Sequence, residues 1–174
     1  DIEAAKALVA QDEDAKKIVE LPLIVESDTI EGRIEGQHRV RDIRELKEGD
    51  ELGYVLDVDP ASFELPKVAE VMSTAATIFV NAVMGLTPHF CEGSATLDRT
   101  IDANPGAQKF YGGGDTLQEF KSLSPGLYLA AMDDAKYYFF TGGGTVLKAI
   151  EEGTPYGLGP VDALIGNRGA SRAV

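Results

Sequence analysis

Phe110-Tyr111-Gly112-Gly113-Gly114-Asp115-Thr116-Leu117 is answered 30 residues later by Phe139-Phe140-Thr141-Gly142-Gly143-Gly144-Thr145-Val146-Leu147. Each copy has three parts. An aromatic and β-branched run reads as a buried strand. Three glycines then require a turn. An apolar-periodic stretch follows, opening on Asp-Thr or Thr, residues suited to the first turn of a helix. Strand, glycine turn and helix make half of a βαβ unit. Glycines let a backbone approach a ligand closely, and the free N–H groups of a helix start favour negative charge. In one parallel sheet both turns would lie at the same edge, because parallel strands share a C-terminal end. A single triple glycine is ordinary chain punctuation. Two in matched context favour a pair of anion-binding loops suited to a polyphosphate. Neither copy is a Walker A loop, since no Gly-Lys-Ser/Thr follows, and neither has the GxGxxG dinucleotide spacing.

Outward from this repeat, strands alternate with helices. Ile2 to Val9 reads as an amphipathic helix and Ile18 to Glu26 as a buried strand, with Pro22 near its start. Residues 27–52 are polar and glycine-punctuated, an irregular excursion with room for one weak hairpin. Leu52 to Val58 is a strand. Asp59-Pro60 opens a helix towards Ser73, with Pro66 marking a kink or a later start. Thr77 to Asn81 and Gln108 to Tyr111 are strands around a Gly93–Ile101 helix. After the Asp115–Leu123 helix, Ser124-Pro125-Gly126 reads as a turn and Leu127 to Met132 as a short helix. Tyr137 to Thr141 is the last strand and Thr145 to Glu151 the last clear helix. The expected class is α/β: a mostly parallel, Rossmann-like sheet with helices on both faces, in three layers. Residues 1–166 are expected to form a single nucleotide-binding-type domain, and 167–174 a frayed tail.

Composition sets limits on partners. The 174 residues suffice for one real core. The net charge of −13 argues against nucleic acid or an anionic membrane as a partner, and it opposes a polyphosphate too. Mg²⁺, or basic residues from elsewhere, would offset that opposition. The one cysteine, Cys91, excludes an internal disulfide and fits a reducing, cytoplasmic compartment. No run of 18 apolar residues offers a membrane span, and Asp1-Ile2-Glu3-Ala4 lacks both the features of a secretory signal and a starting Met.

With these residues in view, the order of motifs resembles the C-terminal, nucleotide-binding domain of phosphoglycerate kinase. The family's Leu-Pro-Val-Asp strand is echoed by Leu21-Pro22-Leu23-Ile24, and its Asp-Ile-Gly-Pro helix start by Asp57-Val58-Asp59-Pro60. Its Trp-Asn-Gly-Pro-Met-Gly-Val-Phe-Glu loop is echoed by Val80-Asn81-Ala82-Val83-Met84-Gly85-Leu86-Thr87-Pro88, and the aromatic and Gly-Thr after it by Phe90 and Gly93-Ser94. Gly-Gly-Gly-Asp-Ser/Thr is matched in full by Gly112 to Thr116. Ser-Thr-Gly-Gly-Gly-Ala is matched by Phe140 to Thr145. The two glycine motifs, in order and spacing, are the specific part.

The resemblance implies an ATP:3-phosphoglycerate phosphotransferase of glycolysis that binds Mg-ADP or Mg-ATP. It places Asn81 near the nucleotide phosphates and Gly85 and Leu86 on the adenosine side. Gly112, Gly113 and Gly114 form the phosphate turn, Asp115 holds the metal of the Mg-nucleotide, and Thr116 holds phosphate. Gly142, Gly143 and Gly144 offer N–H groups to the phosphoryl in flight, as phosphoryl transfer requires. There are departures. Ala82 and Val83 replace Gly-Pro, and Pro88 stands where the family has the acid that holds the ribose. The family's lysine-bearing Gly-Ala-Lys segment, its Gly-Gly-Gly-Met segment and its N-terminal domain have no counterpart here. The expectation is a catalytic portion that needs basic residues from a missing domain or upstream segment. The alternative is a non-catalytic relative that kept the fold and lost turnover.

Other residues read more simply. His38 and His89, with one cysteine, give no transition-metal cluster. His89 reads as a surface loop residue and Cys91 as structural. Asp133-Asp134 reads as a solvated helix end. Arg33, Arg39, Arg41 and Arg44 are interleaved with acids and read as a mixed-charge surface.

Overall fold

The computed structural model describes residues 2–170, which form two compact units. Among the described residues the first comprises 2–76 and 84–107, the second 77–83 and 108–170.

The first unit opens with α1, Ile2–Ala15, no residue of which is buried. The strand expected over Ile18–Glu26 forms later, as β1, Leu23–Ser27. The polar excursion supplies one strand rather than a hairpin of its own: β2, His38–Asp42, pairs antiparallel with the preceding β1, from Leu23 against Asp42 to Ser27 against His38. β3, Tyr54–Val58, pairs antiparallel with the other side of β1. The sheet β2-β1-β3 is thus antiparallel, and the parallel arrangement expected of the early strands is confined to later ones. The sequence reading followed the apolar content of each strand, but pairing direction depends on connections. Residues 28–37 and 43–53 carry too little regular structure for the crossover that a parallel pair needs.

Pro66 marks a later helix start. Asp59 caps a 3-10 turn, Pro60–Glu64, its carboxylate accepting from the Ala61 N–H at 2.9 Å. α2 then begins on Pro66 and runs to Thr74, with proline at a first-turn position where its missing N–H costs nothing. α3, Glu92–Asp102, completes the unit. Phe90, fully buried, packs with Val25 and Leu56.

The second unit is the parallel one. β4 (Thr77–Val80), β5 (Gln108–Gly112) and β6 (Tyr137–Phe140) lie in the order β4-β5-β6, in parallel register. α4 (Gly114–Leu123) and α5 (Pro125–Met132) connect β5 to β6. The residues read as a Ser-Pro-Gly turn are instead the start of α5, because Pro125 fits a first helical turn. α6 (Gly143–Glu151) follows β6, and α7 (Gly159–Ala170) occupies the glycine- and proline-rich end. Of the expected frayed tail, residues 171–174 lie outside the described residues. The fold class is α/β, a three-layer Rossmann-like arrangement.

Alternation explains the core of this unit. Lys109, Tyr111, Tyr137 and Phe139 fall on one face of β5 and β6. Tyr111 stacks on Phe120 of α4 at 4.7 Å between ring centroids and tilts against Phe139 at 5.9 Å. Tyr128 of α5 closes the cluster edge-on to Phe120 at 5.7 Å. Phe110 and Tyr138, on the other face, stack at 4.8 Å.

Candidate functional site: two glycine turns at one edge of the parallel sheet

Parallel strands bring their C-terminal ends to one edge, and this edge collects most of the residues expected to act. β4 ends at Val80, so Asn81 is the first residue beyond it. β5 ends in Gly112 and passes through Gly113 into α4; β6 ends at Phe140 and passes through Thr141 and Gly142 into α6. The two turns are tied together by the Gly113 N–H, which donates to the Phe140 carbonyl at 3.0 Å.

Two glycines here are structural necessities. Gly113 has φ of +99°, a backbone state that side-chain-bearing residues rarely adopt. Gly143 is buried, and a Cβ on it would overlap Asn81 Oδ1 and come 3.0 Å from the Gly113 nitrogen. A Cβ on Gly113 would lie 3.0 Å from the same Asn81 oxygen. The Asn81 carboxamide oxygen therefore sits between the two glycine turns.

Thr116 is buried, with its hydroxyl turned back towards Gly113; Asp115 is exposed in the first turn of α4, where the helix dipole favours an anion. Gly114 and Gly144 are exposed and open, with nothing within 4 Å of an added Cβ. Asn81, Gly112 to Thr116 and Gly142 to Gly144 thus share one edge of one unit. Gly85 and Leu86 belong to the first unit. There the Leu86 N–H donates to the Leu56 carbonyl at 2.9 Å, and Gly85 is packed against the Phe90 carbonyl.

Asp115 is a single exposed carboxylate, and among the described residues no three His, Cys, Asp or Glu side chains cluster as metal ligands. A lone carboxylate beside a glycine turn at a helix start fits Mg²⁺ carried in by a nucleotide, which keeps waters and phosphate oxygens as its other ligands. It does not fit an all-protein metal cage.

Two features escaped the sequence reading. Lys109 is 1% exposed, with its ammonium 4.6 Å above the Tyr137 ring, an attractive cation–π geometry. Its parity with Tyr111 along β5 was the available signal. Asp57, read only as part of a helix-start motif, is a buried carboxylate whose Oδ2 accepts from the Gly93 N–H at 3.2 Å. Burial pushes its pKa up, opposed by hydrogen bonds from Gly93 and Val58.

Parallel strands that deliver two glycine turns, each running into a helix, to one edge define an α/β protein of Rossmann-like class. Comparison with known proteins narrows the class. The phosphoglycerate kinase family model matches residues 1–153. Phosphoglycerate kinases from two strains of Thermus thermophilus are 34% and 32% identical to the chain over 105 residues, or 59% of it. That match is 25% of their length, so the chain spans about a quarter of these relatives. Among solved structures, phosphoglycerate kinase from Coxiella burnetii superposes with a TM-score of 0.65 at 20% identity, over 88% of this chain and 36% of that one; this likeness concerns the fold. The chain belongs to the phosphoglycerate kinase family.

Proposed function

We propose that this chain is the nucleotide-binding portion of a phosphoglycerate kinase-like phosphotransferase, which moves a phosphoryl group between ATP and the carboxylate of 3-phosphoglycerate. The observation that carries the reading is the shared edge: Asn81 Oδ1 seated between the Gly113 and Gly143 turns, with Asp115 and Thr116 at the start of α4. In this reading the Gly112 to Gly114 turn brings phosphate oxygens close to the backbone, where the Gly114 N–H and the Thr116 hydroxyl bind them, while the Gly113 N–H stays on the Phe140 carbonyl. The backbone of Gly142, Gly143 and Gly144 offers donors where charge spreads over the transferring phosphoryl. Asn81 orients the phosphates, and Gly85 and Leu86 meet the adenosine. Asp115 is the protein ligand of the Mg-nucleotide, whose metal neutralises phosphate charge that a chain of net charge −13 cannot neutralise alone. Basic residues and the acyl-phosphate site come from a further domain or segment, as in a longer relative, and the reaction belongs to cytoplasmic glycolysis.

The test is calorimetric titration of the chain with ADP and ATP, with and without Mg²⁺. Mg-dependent binding that Asp115→Ala weakens at least tenfold is the expected result. Unchanged affinity in Asp115→Ala removes that role, and no binding at millimolar nucleotide removes the site. A second reading, nucleotide binding without turnover, is favoured by Ala82 and Val83 in the loop and by Pro88 at the ribose position. It predicts Mg-nucleotide binding but no phosphoryl transfer when a complementary N-terminal domain is supplied.

A further inference from the structure

We propose that Asp57 is a positioning residue for the 84–93 loop, fixing where Gly85 and Leu86 stand to receive a nucleoside; this rests on the reading of those two residues given above. The observation is a two-point anchor from consecutive residues of β3. Leu56 accepts from the Leu86 N–H through its carbonyl at 2.9 Å. Asp57, 2% exposed, accepts from the Gly93 N–H at 3.2 Å through Oδ2 and from the Val58 N–H at 2.8 Å through Oδ1. Leu86 lies near the loop's start and Gly93 at its end, where α3 begins.

The glycines record how closely β3 and this loop approach. A Cβ on Gly93 would overlap Asp57 Oδ1 and come 2.6 Å from the Val58 carbonyl. A Cβ on Gly85 would overlap the Phe90 carbonyl and come 3.2 Å from Asp57 Cγ. The loop's interior is held by the Leu86 carbonyl, which accepts from the His89 and Phe90 N–H groups, and by Ser94, whose hydroxyl accepts from the Met84 N–H. The Leu86–Leu56 bond and the close approach of Gly85 to Asp57 place Gly85 and Leu86 relative to β3, and the other bonds hold the loop's own shape.

The choice of a carboxylate is informative. Burying a charge is costly, and a core position beside Val25 and Leu56 could hold an apolar side chain. Only an acceptor-only group with two oxygens can take the Gly93 and Val58 N–H groups at once. A carboxamide of the same shape would turn one donor against another. The first turn of α3 also favours an anion there. Charged groups near Asp57 are Glu92, ion-paired with Arg33, and, one residue along β1 from its partner Val25, Glu26, which is held by Arg39 and Arg41.

The test uses the intact chain and its Asp57→Asn variant, with amide hydrogen exchange and Mg-ADP titration at one neutral pH. The expected result is exchange at Leu86 and Gly93 faster by about tenfold or more in the variant, the scale of one lost hydrogen bond to a charged group, with Phe110 and Tyr111 unchanged. Mg-ADP affinity falls about tenfold with it. Gly93→Ala, whose added Cβ would meet Asp57 Oδ1 and push the start of α3 away from it, is the second variant and decides the matter if Asp57→Asn does not fold: exchange at Leu86 quickens and Mg-ADP affinity falls in step. Wild-type-like exchange at Leu86 and wild-type affinity in either folded variant overturns the proposal. A wild-type chain that binds no Mg-ADP overturns the nucleoside reading instead, and exchange at Leu86 and Gly93 then shows separately whether Asp57 anchors the loop.

Discussion

The two sheets of this protein solve the same problem with opposite chemistry. The antiparallel sheet β2-β1-β3 buries carboxylates. Glu26, fully buried, accepts from the Gly53 N–H at 2.5 Å and from Arg39 and Arg41 at 2.9 and 3.4 Å, while Asp57 is held by backbone N–H groups. The parallel sheet β4-β5-β6 buries rings: Tyr111, Phe120 and Tyr137 are each at most 8% exposed, and Tyr111 stacks on both of the others. Polar partners make the first sheet directional, because each buried oxygen demands a donor at one place. Aromatic packing makes the second tolerant of chemistry but strict about volume. A rigid aromatic platform suits an edge that must hold glycine turns in register.

The sharpest way to break this contrast is to empty the aromatic cluster. Phe120→Ala removes a ring that touches Tyr111, Tyr128 and Phe139, and should cost about 3–4 kcal/mol in urea unfolding. A loss below about 1 kcal/mol would mean that the cluster collapses freely and is no platform. In the other sheet, Glu26→Ala leaves the Gly53 N–H without its acceptor and should cost about 2–3 kcal/mol. An equal loss in Glu26→Gln, which keeps the volume and one acceptor, would point to charge rather than hydrogen bonding. Gly143→Ala should cost about 2 kcal/mol by overpacking against Asn81, and should lower Mg-ADP affinity more than about tenfold. A variant that binds normally would show that Asn81 can leave the turns freely. Ser62→Ala, which loses the hydroxyl bonded to both the N–H and the carbonyl of Leu23, should cost about 1 kcal/mol.

Acid separates the two buried carboxylates in sign. The Gly53 N–H, opposed by burial but aided by Arg39 and Arg41, holds Glu26 below its ordinary pKa. Its stabilisation is present above the unfolded value and is lost as pH falls through the folded one. Burial holds Asp57 above its ordinary pKa, so its ionisation opposes folding at neutral pH, and stability returns as pH falls through that raised value. Amide exchange against pH should therefore show β1 and β2 loosening in acid in the wild type and not in Glu26→Gln, while β5 stays indifferent.

The repeated strand–glycine–helix phrase was legible at once, because three consecutive glycines after an aromatic run allow few local structures. Its strands begin at Gln108 and Tyr137 as read, and its helices begin one or two residues early, at Gly114 and Gly143. The helix starting on Pro66 was legible as one of two options. The antiparallel pairing of β1, β2 and β3 was not, since strand direction is set by which neighbour the chain returns to. The short helix read over Leu127 to Met132 is there but starts earlier, at Pro125, and the helix over Gly159–Ala170 was not read; in both places glycine and proline punctuate turns as readily as they open helices.

By itself, the sequence determined the period of the main strands and helices, the need for glycine at the turn after β5, and the family. These follow from local sterics and from motifs read along the chain. Only the tertiary structure decided that Asn81 reaches between the turns at Gly113 and Gly143, that Lys109 lies over Tyr137, and that Asp57 meets Gly93. Those contacts join residues distant in sequence. Their energies come from burial and from satisfying polar groups out of water, which no local pattern records.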